Sequence, residues 1–189
     1  MLVTNIFVMG RWERTHEALR KAALDLFTEY GYEATGTAQV AEHVGVSEMT
    51  LFRHFPTKES LIVADSFDPF MAEAVRVRPV GEPPMQALTE GVRAAWVELP
   101  EEAVAFLRRR LKIIAQTPAL TGAIERSNGK TVMELANALV DRGVDDVWAR
   151  IASSAVIAGL STALLIWANT ERCTLSEALE SACDLLGGN

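Results

Sequence analysis

The sequence is poor in the residues that build metal sites and disulfide frameworks, with two cysteines and three histidines in 189 residues. Cys173 and Cys183 show no CxxC spacing and no nearby histidine, which excludes a zinc ribbon and predicts reduced core residues in a cytoplasmic protein. His16, His43 and His54 lack metal-ligand spacing, so no metal is expected. Basic charge is also short: 18 Lys and Arg face 25 Asp and Glu, a formal net charge of -7. That balance excludes a protein that coats nucleic acid over its whole surface. Even residues 1–60 hold six basic and eight acidic side chains, so any DNA contact has to be local.

Alternating strand patterns are missing, and so are the sequence marks of catalysis. No HExxH or GxSxG occurs. The stretch Asn128–Thr131, NGKT, has the end of a phosphate loop, but Ile124 stands where the first glycine is needed and no strand precedes it. No enzyme activity and no cofactor are expected. The N-terminal MLVTNIFVMG has no charged leader and no small-residue cleavage site, and Met9 is an alternative start to Met1. The uncharged run Ile151–Ala168 has the length of a membrane span, but Ser153, Ser154, Gly159, Ser161 and Thr162 dilute it and no basic flank accompanies it. It predicts a helix buried between other helices, with no membrane partner.

What the chain does contain is helical periodicity. Leu19, Ala22, Ala23, Leu26, Phe27 and Tyr30 recur on one helical face, and Gly31 ends the pattern. A short helix follows over Thr37–Val44, with Gly45 for a left-handed turn. Ser47 is a natural N-cap for a third helix, which Pro56 stops. Thr57 caps a fourth helix from Lys58 that bends or ends near Asp68, because Pro69 follows. RPVGEPPM, residues 78–85, is a connector, and further helices are predicted over 84–98, 101–116, 119–141, 146–169 and 175–186.

Two short helices joined by VGV form a helix-turn-helix pattern, whose second helix enters the major groove. Leu51 and Phe55 pack inward at i, i+4, leaving Glu48, Met49, Thr50 and Arg53 outside. Glu48 suits a cytosine amino group, Met49 a thymine methyl, and Thr50 a base or phosphate. His54 and Lys58, at the helix end and the next helix start, suit phosphates.

The run AALDLFTEYGYEAT...QVAEHVGVSEMTLFRHFPTKESL resembles the DNA-binding domain of the TetR family of one-component transcriptional regulators over residues 13–65. The resemblance implies that Ser47, Glu48, Met49 and Thr50 read bases, that Thr35, Thr37, His54 and Lys58 anchor phosphates, and that Phe52 and Arg53 flank the recognition surface. Three positions depart from the family pattern: Gly36 where Thr or Ser is usual, Ala38 where a polar residue is usual, and Phe52 where Tyr is usual. These remove phosphate contacts, so moderate DNA affinity is expected.

The expected architecture is all-α: an N-terminal arm and three-helix helix-turn-helix domain over 1–65, and a larger helical effector-binding and dimerisation domain over 66–189. The expected function is a ligand-responsive regulator, a repressor binding a pseudo-palindromic double-stranded DNA operator as a homodimer. The alternative is an effector-binding helical protein with weakened or lost DNA binding. Ala155, Gly159 and Ala163 recur every four residues and clear a strip for a dimer interface or for packing within the chain. In AVAFLRRRLKII, residues 103–114, Arg110 falls inside the apolar arc while Arg108, Arg109 and Lys112 point away. It either pairs with Glu90 or Glu134, or holds the anionic head of an amphipathic small-molecule effector whose apolar body lies against Phe106 and Trp96.

Overall fold

The computed structural model describes residues 10–63, 68–96 and 99–188, and every element among them is helical. Helix α1, Arg11–Tyr30, buries Leu19, Ala22, Ala23, Leu24, Leu26 and Phe27. Tyr30, expected on the same face, is 53% exposed. The chain leaves the helix at Gly31, φ +85°, and Tyr32 takes the inner place, its ring edge-on to Phe27 at 5.0 Å. Helix α2, Thr37–Val44, ends in a Schellman turn: Gly45 is left-handed, and the Val46 N–H reaches back to the Ala41 carbonyl at 3.0 Å.

Helix α3, Glu48–His54, is seven residues long, too short to persist by its own hydrogen bonds. It is fixed by Leu51 and by Phe55 just beyond it, both within 1% of complete burial, where each apolar side chain contributes about 1.5–3 kcal/mol. The Thr57 hydroxyl accepts the Ser60 N–H at 3.2 Å, and helix α4 begins there, over Ser60–Val63, two residues later than the Lys58 start expected. The remainder of the expected fourth helix, and the domain boundary at 65–66, lie outside the described residues.

Helix α5 spans Asp68–Arg76, and the bend or end expected near Asp68 falls on residues 64–67, outside the described residues. The proline lies in the first turn of a new helix, where no backbone donor is required. Helices α6 (Pro84–Trp96), α7 (Glu101–Gln116), α8 (Thr121–Asp141), α9 (Asp146–Ala168) and α10 (Leu175–Gly187) follow, with a short 3-10 turn at Pro118–Leu120. Arg142 holds the connector before α6, donating to the Arg78 and Pro79 carbonyls.

Helix α9 is long and apolar enough to cross a membrane by length and composition. It packs instead against α6, α7, α8 and α10 and buries Val156, Leu160 and Trp167. Helix α5 packs on α6 so closely that a Cβ on Gly91 would stand 3.1 Å from the Val75 backbone. The N-terminal helices join this body at two places. Arg109 of α7 donates to Asp25 and Thr28 of α1 at 2.8 and 3.2 Å, beside the Arg20 guanidinium over the Phe106 ring at 4.7 Å. Helix α4 packs against α7 and α8.

Candidate nucleic-acid interface and ligand cavity

The start of α3 is built from short polar side chains. The Ser47 hydroxyl accepts the Thr50 N–H at 3.2 Å and lies 2.9 Å from the Thr50 hydroxyl, capping the helix with two of the residues expected to read bases. Glu48 accepts a hydrogen bond from the Thr37 hydroxyl at 2.5 Å, which ties the start of α3 to the start of α2. Met49 and Phe52 are 68% and 44% exposed, and Arg53 is exposed with its guanidinium 3.9 Å from the Met49 sulfur. These residues form one outward surface across Ser47–Arg53.

Two of the four expected phosphate anchors are differently employed. Thr35 is completely buried, and its hydroxyl donates to the Gly31 carbonyl at 2.9 Å, closing the turn after α1. Its side chain is a turn staple, which corrects the phosphate assignment. His54 is half-buried, stacked on Trp12 of α1 at 3.6 Å between ring centroids, with His16 at 5.6 Å. Burial lowers the His54 pKa. The His16 pKa is lowered first by burial and then by His54 and Arg20, against the opposing pull of Glu17. Burial therefore favours the neutral imidazole, which keeps one ring N–H able to donate to a phosphate.

Lys58 sits over the Tyr32 ring at 4.2 Å. Burial, with Glu59 and Glu33 near, pushes the Tyr32 phenol up to about 12, so the ring stays neutral beneath the ammonium. Sequence reasoning did not assign Tyr32 or Trp12. The aromatic directly after the helix-ending Gly31 is a usable signal for the first, whereas nothing local announces the second.

Between α6, α7, α8 and α9 lies a cavity of about 100 Å³, lined mainly by apolar side chains. Trp96 and Arg110 both line it, as do Asn128 and Ser161, whose amide and hydroxyl are 3.2 Å apart. Phe106 does not; it lies on the α1 side of α7 beneath Arg20. The inward stripe of α7 is Leu107, Arg110, Leu111 and Ile114, narrower than the arc expected. Arg110 is 8% exposed and donates to the Val63 carbonyl at 3.4 Å. Of the two acids expected to pair with it, Glu90 is held by Arg93 and Glu134 is exposed. Arg108, expected to point away, packs over the Trp167 ring at 4.3 Å and donates to the Thr170 carbonyl at 3.0 Å.

The strip expected at the dimer interface divides. Ala155 is exposed and Ala163 half-buried, but a Cβ on Gly159 would come within 2.9 Å of Leu186, so this glycine makes room for α10 of its own chain. The exposed apolar side chains on these helices are Val147, Trp148, Ile151, Ile166 and Leu185. Both cysteines are free, and burial pushes the Cys183 thiol up to about 11. Among the described residues no cluster of three or more His, Cys, Asp or Glu is placed to hold a metal.

A family model for bacterial regulatory proteins of the tetR family matches residues 19–64, and one for the MftR C-terminal domain matches residues 82–189. The chain is 34% identical to the HTH-type transcriptional regulator TcmR of Streptomyces glaucescens over 187 residues, covering 92% of this chain and 83% of that one. Over 48 residues it is 44% identical to the HTH-type transcriptional regulator RutR of Escherichia coli K12, covering 25% and 23% of the two chains. The crystal structure of NalD, the secondary repressor of the MexAB-OprM multidrug efflux pump in Pseudomonas aeruginosa, superposes with a TM-score of 0.54 at 25% identity, covering 93% of this chain and 95% of that one. With family models matching residues 19–64 and 82–189 and a relative 34% identical over most of both chains, the chain belongs to the TetR family and is a DNA-binding transcriptional regulator of the helix-turn-helix type.

Proposed function

We propose that the chain is a repressor that binds a pseudo-palindromic operator as a homodimer and leaves it when a small amphipathic anion enters the cavity. The observation that carries this is the position of Arg110. It lines the cavity, and the same guanidinium donates to the carbonyl of Val63, the last described residue of α4, the helix that follows the recognition surface. A carboxylate or phosphate drawn to Arg110 competes with that carbonyl and favours a different placement of α4. Two recognition helices must lie about 34–36 Å apart to read adjacent major grooves, so a changed spacing favours the unbound state. Coupling of about 1–3 kcal/mol changes the operator affinity by about 5–150-fold. Ser47, Glu48, Met49 and Thr50 read bases in this proposal, Thr37, Arg53 and Lys58 hold the backbone, and dimers form across the outer faces of α9 and α10.

Binding to DNA from upstream of the coding sequence, measured by anisotropy over a series of salt concentrations, tests the proposal. Affinity that falls linearly with salt on a logarithmic scale, and an added amphipathic acid that weakens it, are the expected results. The second reading, an effector-binding protein with weakened DNA affinity, is favoured by Phe52, which is exposed on the recognition surface without a hydroxyl. Retained acid binding with no sequence preference on DNA would select it.

A further inference from the structure

Two hollows share a wall. The cavity beside Arg110 holds about 100 Å³, whereas sites for drug-sized ligands run from about 300 to 1,000 Å³. Alone it takes a head group and a short stub of chain. Next to it, an open groove of about 270 Å³ lies between α6, α7 and α10. Trp96, at the end of α6, and Leu179, in α10, line both hollows. The groove continues the apolar chemistry with Leu99, Val104 and Leu175, and its rim is polar. Arg93 on that rim is fixed by Glu90, Glu180 and Asp184, so the groove is shaped before any ligand arrives. The Trp96 indole N–H points at the Met71 sulfur at 3.3 Å.

We infer that cavity and groove are two chambers of one effector site divided by the Trp96 and Leu179 side chains, and that the ligand is an elongated amphipathic acid. Its head occupies the cavity with Arg110, and its apolar chain passes between Trp96 and Leu179 into the groove. The inference rests on the effector reading of the cavity and adds chain length as the property the protein measures.

Calorimetric titration of the full chain with straight-chain carboxylates from hexanoate to dodecanoate tests it. Affinity is expected to rise about fourfold per methylene through the whole series, because each added carbon finds apolar wall. Ser176→Trp, at an exposed position on the groove, narrows the outer chamber alone and is expected to weaken dodecanoate about tenfold or more, with hexanoate unchanged. Val104→Phe, from the opposite wall, gives the same pattern if Ser176→Trp should misfold by circular dichroism. A plateau in affinity at the shortest acids, or groove variants that weaken short and long acids alike, overturns the second chamber while leaving the effector reading in place. Failure of every acid to bind overturns both.

Discussion

The helices before Val63 and those after Asp68 are shaped by different demands. In the first unit α2 and α3 are short, eight and seven residues, and three of their four ends are set by an identifiable residue: Gly45, Ser47 and the Pro56 that follows. In the second, α8 and α9 run to 21 and 23 residues, and what matters is how closely neighbours approach. Chemistry in the first unit is displayed on the surface, so it can change without unfolding the protein. In the second unit it is enclosed, so most changes to it also change stability.

The largest test of this contrast concerns the exposed apolar face of the second unit. Ile166→Glu combined with Leu185→Glu should give a monomer in sedimentation velocity with the fold intact, and operator affinity should drop by about 10²–10⁴-fold as the two half-sites are no longer tethered. An unchanged dimer would remove this face from the assembly. Next is Gly91→Ala, where the new methyl would stand 2.6 Å from Val75 Cγ2 and 3.1 Å from the Val75 backbone, so a short β-branched side chain and its backbone both have to shift. A loss of about 1–3 kcal/mol in urea unfolding is expected, with base preference on DNA unaltered. Gly159→Ala meets only the Leu186 side chain and should cost less.

In the first unit, Lys58→Ala should weaken binding to all DNA sequences by a similar factor and lower the salt slope by about 1, whereas Thr50→Ala should alter base preference. Neither should move the unfolding midpoint much, and a large shift would erase the contrast drawn here. The smallest effect concerns pH. His16 and His54 have folded pKa values below the ordinary 6.5, chiefly through burial. The unfolded chain therefore takes up protons first, and stability should be level above pH 6.5 and decline as pH falls through the folded values. His16→Leu should flatten that decline in thermal melts.

Sequence alone carried the order of the helices and the position of α3, because glycine, proline and capping residues act locally and leave local marks. It did not place Thr35, since the choice between a buried turn staple and an exposed anchor depends on how Gly31 turns the chain. It put Phe106 in the cavity because a broad apolar arc on α7 does not reveal which neighbour each side faces: Leu107, one residue on, is rotated by about 100° and lines the cavity instead. The reading at Pro69 left a bend and an end open, because a proline that starts a helix and one that ends a helix look alike without their surroundings. Gly159 permitted close packing, and only the Leu186 contact identified the partner as α10 of the same chain.

The two attachments of the N-terminal helices have a mechanical consequence. A body pinned at two separated points keeps one easy rotation, about the line joining them, and a body pinned at one can pivot in any direction. Helix α7 supplies a pin to α1 through Arg109 and another to α4 through Arg110, on adjacent residues about 100° apart around the helix. Loosening the Val63 end while Asp25 and Thr28 stay clasped turns α1 into the fulcrum. In the proposed switch α3 would swing as the far end of a lever, and the displacement delivered to the DNA would grow with its distance from Asp25 rather than with the size of the movement inside the cavity.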